Sequence, residues 1–204
     1  MSAQTDLYDS VYNDVMTLTK RPQLDAETHV ALRSATRTAH ASGTYLRDII
    51  TRLVQLPNAS YITSLDAQIL FPRLRGLASV QLLDTSFQPM QKPEITIKEF
   101  DDIRDPIYHQ VENNIAYVAG TAVNIRSYVP ASGYLVGYYE MPLVQRENYN
   151  SWIAQLAPDI IIYQAAATVF GTVGEPEKVK AYTDMVERTF KPQLIQNFTT
   201  SAMR

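Results

Sequence analysis

The chain has 204 residues, a net charge of −3, 46% hydrophobic and 19% charged residues, and no cysteine. That length suits one domain with a core large enough to need no staples. The composition excludes disulfides, thiol nucleophiles and cysteine-ligated metals, and the charge argues against a general nucleic-acid coat.

Met1 to Asp14 has neither a basic n-region nor an apolar h-region, so it does not read as a signal peptide. The apolar stretch Ala157 to Gly174 is interrupted by Pro158, Asp159 and Gln164. It falls short of the roughly 20 apolar residues a membrane span needs, so no membrane association is expected and synthesis in the cytoplasm is.

Leu7, Val11, Val15 and Leu18 recur at spacings of 4, 4 and 3, which predicts a helix with one apolar face, ended by Pro22. Asp25 reads as the cap of a second helix with Glu27 in its first turn. Its inward stripe, Thr28, Leu32, Ala35 and Ala39, is small enough for another helix to approach closely. Gly43 is expected to end it.

Short β-like runs follow: Ile49 to Leu56, Leu77 to Leu83, Glu94 to Phe100, Ala116 to Tyr128 and Tyr134 to Met141, punctuated by prolines. Gly120-Thr121 reads as a hairpin turn. Tyr134 to Tyr139 is apolar on both faces, so cover on both sides is expected.

Arg146 to Leu156 reads as a short helix carrying Trp152. Pro158 opens a helix to about Val173, apolar almost all round and therefore central. Pro176 opens the last helix, with the stripe Val179, Tyr182, Val186 and Phe190, and Pro192 should kink or end it.

The expected fold class is α+β: a helical bundle formed by N- and C-terminal helices, with a small antiparallel β region inserted between them. As a single domain 1–204 it divides into helical residues 1–47, a β-rich insertion 48–145, helical residues 146–192 and a tail 193–204.

Chemistry-bearing motifs are sparse. His29 and His40 lie roughly 16 Å apart along one predicted helix, too far to share a metal. With Arg33 and Arg37 they form a polar stripe at spacings of 4, 4 and 3. That stripe reads either as the solvated side of an amphipathic helix or as a basic patch docking on an acidic neighbouring subunit or partner. Asp101, Asp102, Asp105 and His109 form the densest acidic group. Asp105-Pro106 there reads as a turn with a helix cap more readily than as a metal site.

Gly171-x-x-Gly174 reads as a helix end rather than a phosphate cradle. Tyr134, Tyr138 and Tyr139 read as sheet packing, with stacking on sugars or bases as the rival. Leu194, Ile195 and Phe198 follow Pro192 among polar residues. This tail either inserts into a partner or folds back on its own helices. No cofactor, metal or catalytic residue is expected, and no enzymatic activity.

Two segments carry a family resemblance. The first is LYDSVYNDVMTLTKRPQL from Leu7 to Leu24, followed by ALRSATRTAH from Ala31 to His40. The second is PDIIIYQAAATVFG from Pro158 to Gly171, then GEPE from Gly174 to Glu177 and the last helix. FPRLRG from Phe71 to Gly76 is a weaker echo. The chain resembles the head-to-tail adaptor proteins of short-tailed bacteriophages.

The resemblance implies a structural virion protein of the neck, a ring of twelve subunits held by helix packing. Such a ring binds the portal on one rim and presents the other to tail nozzle or fibre proteins. It extends the channel through which genomic DNA leaves, without binding that DNA specifically. It places portal contacts in the C-terminal tail, here Leu194, Ile195, Phe198 and Arg204. Other readings are a neck-completion or tail-tube subunit, a small glycan-binding or hydrolytic domain, and a nucleic-acid module built on Arg33 and Arg37.

Overall fold

The computed structural model describes residues 3–98, 113–192 and 194. The chain is mixed α and β, with one five-stranded sheet. Contacts divide it into two compact units: Met1–Arg47 with Met141–Arg204, which is helical, and Asp48–Glu140, which holds the sheet.

The helical unit opens with α1 (Ala3–Thr19) and α2 (Asp25–Ala41). Lys20 terminates α1, adopting φ 52° while its N–H still bonds the Met16 carbonyl at 2.9 Å. A short helix α4 (Trp152–Leu156) follows a 3-10 turn at Arg146–Asn148, so the expected single helix over 146–156 is two pieces. Ser151 separates them, its hydroxyl capping α4 by accepting from Ala154 N–H.

Helix α5 (Pro158–Thr172) is the centre of this unit. Ile160, Ile161, Ile162, Ala165, Ala166, Ala167, Val169 and Phe170 are all buried. It packs against α1 and α2, and Leu32, Ala35 and Ala39 of the predicted stripe lie in the same core, with Thr28 buried as well. The close helix approach expected of that stripe is therefore made within the chain.

Helix α6 (Pro176–Met185) continues through a π turn at Val186–Phe190. Pro192 neither ends nor follows an ordinary turn: residues 191 and 192 remain helical. The wider turn, in which Lys191 N–H reaches back to the Val186 carbonyl, relieves the crowding a helical proline imposes one turn upstream. One further expectation is corrected: Asp25 is the first residue of α2, with Leu24 at the cap position. Gly43 follows the cap residue Ser42, at the end of α2 as expected, and an added Cβ there would meet the Tyr45 ring at 2.8 Å.

The sheet unit consists of β1 (Ile49–Asp66), the helical turn α3 (Ala67–Leu70), β2 (Leu74–Leu83), β3 (Thr96–Ile97), β4 (Ile115–Ala119) and β5 (Ala122–Glu140). β5 is the spine. β1 pairs with it antiparallel from Ile49↔Tyr139 to Asp66↔Ala122, while β2 and β4 pair with its C-terminal and N-terminal parts. The β3–β4 pair is parallel, unlike the all-antiparallel region expected.

Pro57 and Pro130 do not end their strands. The β1–β5 register shifts between Gln55 and Ile62, and both prolines sit in that irregular stretch, where a missing ladder donor is tolerated. Gly120, at φ 59°, and Thr121 form the expected two-residue turn between Ala119 and Ala122. One face of β5, with Val123, Ile125, Tyr134, Val136 and Tyr138, is buried. The opposite face, with Leu135 and Tyr139, is only half-buried, so cover on both sides is not met among the described residues.

Candidate functional site

In the helical unit a cleft brings charged and titratable groups of α1 and α2 together. It is an open groove of about 720 Å³ between α1, α2 and the 146–148 turn, lined among others by Tyr8, His29, Val30, Arg33 and Arg146. Helical spacing builds it. Tyr8 and Tyr12 stand one turn apart on α1, and Asp25, His29 and Arg33 stand at successive turns of α2.

His29 is the hub. Its Nδ1 is 2.8 Å from the Tyr8 hydroxyl, and its Nε2 is 3.7 Å from Asp25 Oδ1. The Tyr12 ring stacks on the imidazole at 4.5 Å between centroids, and the Tyr12 hydroxyl donates to Asp25. At the rim, the Arg146 guanidinium holds Asp9 with two bonds of 2.7 Å, from Nε and Nη2. That pair keeps the Asp9 carboxyl below the usual carboxylate range.

Burial pushes the Tyr8 hydroxyl up, and burial with the Asp25 bond pushes Tyr12 up to about 12. Both phenols therefore stay protonated near neutral pH, and neither is an activated base or nucleophile. The arrangement clamps α1 to α2 and sets Arg33 at the edge of the groove. Arg33 and Arg37 are exposed.

His40 does not belong to this surface. It is 1% exposed, its Nε2 lies 2.9 Å from the Ser151 hydroxyl, and its ring meets Trp152 edge-on at 5.7 Å. The two histidines share a helix face, but different neighbours cover its two ends. The half-open groove surrounds His29, whereas Ser151 and Trp152 seal His40. Of the predicted stripe, Arg33 and Arg37 are exposed, His29 is half-buried and His40 is buried.

The tail residue Leu194 is also corrected. It is 2% exposed and belongs to the helical core with Val186 and Val169. Ile195, Phe198 and Arg204 lie outside the described residues, as do Asp101, Asp102, Asp105 and His109. Gly174, at φ 74°, closes α5, and Glu175 N–H returns to the Phe170 carbonyl at 3.1 Å. That is a helix end, as expected.

Tyr134 and Tyr138 are 0% and 2% exposed, so they pack the sheet and offer no stacking platform. Among the described residues no three His, Asp or Glu gather as a metal site, and no helix is long and apolar enough to cross a membrane.

Tyr8, Asp9, Tyr12 and Arg146 were not singled out from the sequence. The i,i+4 tyrosine pair on α1 and the i,i+4 Asp25–His29 pair on α2 are visible there, but their meeting is not. It depends on how two helices lean on α5. No protein-family model matches the chain, and no curated protein matches it.

Proposed function

We propose that this chain is a ring-forming head-to-tail adaptor of a short-tailed bacteriophage, a structural subunit of the virion neck. It joins the portal to the tail and extends the channel for DNA. The observation that carries this reading is the convergence of the two adaptor-like segments. Tyr8, Val11, Val15, Leu32 and Ala35 from the first, and Ile160, Ile161, Ala165 and Val169 from the second, share one buried core. In this reading the helices of both chain ends form a bundle and the sheet unit is the insertion between them.

Three further features support it. Neither phenol of the α1–α2 cleft is activated. Arg33 and Arg37 stand exposed one turn apart, suited to an acidic neighbour in a ring. Ile50, Leu53, Tyr61, Ile62 and Tyr128 are large apolar side chains exposed along β1 and β5, as expected of a surface covered in an assembly. The partners are copies of the chain, the portal and tail components. A ring multiplies modest contacts into a durable junction. The acidic balance keeps the lumen from trapping DNA phosphates.

The test is electron microscopy of the purified chain mixed with purified portal protein. Rings seated coaxially on the portal support the reading. A chain that stays unbound at saturating portal concentration overturns it.

A further inference from the structure

Among the described residues the outer edge of β1 carries no partner strand. The outer edge of β2 is covered at its C-terminal end by the turn after it, where Met90 N–H donates to the Leu82 carbonyl at 2.8 Å and Leu83 bridges Pro89. The outer edge of β4 is taken by β3. Among the described residues β1, 18 residues long, pairs with β5 alone.

Open edges are usually blunted by lysines, by brevity or by cover. Residues 49–56 of β1 contain no lysine. Their one charge is Arg52, whose guanidinium donates to the Leu70 carbonyl. Ile50 and Leu53 are 43% and 51% exposed. The straight stretch is also bounded, by the 3-10 turn at Leu46–Asp48 and by Pro57, which has no N–H to offer a neighbour.

We infer that two copies of the chain pair through this edge, antiparallel about a two-fold axis, with Leu53 opposite the partner's Leu53. Register follows by elimination. In a two-fold antiparallel pair, opposed residues share a face, so the axis passes through a residue. An axis at Arg52 sets two guanidinium groups against each other. An axis at Thr51 or Val54 limits the pairing to residues 49–53 or 52–56.

The axis at Leu53 uses residues 50–56 and opposes Ile50 to the partner's Leu56, Thr51 to its Gln55 and Arg52 to its Val54. On the outer face, Leu53 already lies beside half-buried Leu135 of β5. Pairing extends these into one apolar row across both copies. The inference goes beyond the ring reading. A two-fold contact closes on two copies and does not propagate round a ring. It describes the free chain in solution, with its edge covered by a second copy.

The natural absence of cysteine makes the register testable. L53C is expected to form a disulfide-linked dimer under mild oxidation. T51C and Q55C are each expected to stay unlinked alone, yet to link when mixed. L53K, at an exposed position, is expected to keep its circular dichroism spectrum and sediment as a monomer. A wild-type chain monomeric up to millimolar concentration overturns the inference. So does a dimer in which L53C fails to link. Either failure leaves the adaptor reading intact, because portal binding judges that separately.

Discussion

His40 and Ser151, 111 residues apart in sequence, meet in the core of the helical unit with ring nitrogen and hydroxyl 2.9 Å apart. The same hydroxyl caps α4 through Ala154 N–H at 3.1 Å, so one atom ties α2 to the start of the C-terminal helices. Replacing Ser151 by Ala removes both the tie to His40 and the cap of α4. The expected cost is about 1–3 kcal/mol, read as a lower midpoint in urea unfolding. His40→Ala adds a cavity and is expected to cost about 2–4 kcal/mol.

Leu194 separates two pictures of the C-terminal end. A side chain waiting for a partner can be truncated without effect on the free chain. A side chain already in the core cannot, and Leu194→Ala is expected to lower stability by about 2–4 kcal/mol. Equal unfolding midpoints for the two proteins would place Leu194 outside the core.

Alkaline stability reports on the cleft. Tyr12 and Tyr149 are both raised to about 12 from an ordinary 10.0, and burial is the leading cause in each. A hydroxyl raised in the folded state favours folding while it stays protonated. That stability is complete below about pH 10 and is lost as pH climbs toward about 12. Unfolding midpoints measured across this window should fall, and Tyr12→Phe should fall less steeply.

At Gly133 an added Cβ would meet the Val54 carbonyl oxygen of the paired strand at 2.6 Å. Backbone cannot move aside without breaking the β1–β5 ladder. Gly133→Ala is therefore expected to destabilise by about 1–3 kcal/mol, whereas Gly76→Ala, with open space around it, should be far milder.

The sequence made the helices and the hairpin turn legible because each rests on local signals. Ile160 to Phe170 declares a central helix by being apolar all round, and Gly120-Thr121 declares a turn by its residue types. What stayed hidden depends on tertiary partners. Pro57 and Pro130 look like strand ends until they are seen within the irregular middle stretch of one long ladder. His29 and His40 look alike on a helical wheel, and only the placement of Trp152 and Ser151 buries one of them. Tyr12 and Asp25 meet only because α1 and α2 lean on the same helix.

Arg33 and Arg37 carry the docking surface in the proposed ring. Reversing both charges (R33E with R37E) is expected to leave the circular dichroism spectrum unchanged, since both side chains are exposed. Ring or portal association should weaken by at least about tenfold, with a flatter dependence on salt. Unchanged association would remove this patch from the interface.

The most direct measurement is electron microscopy with class averaging of the purified chain incubated with purified portal protein. The account predicts coaxial rings of repeated subunits capping one end of the portal. Portals left bare, with the chain in solution at any concentration, would contradict it.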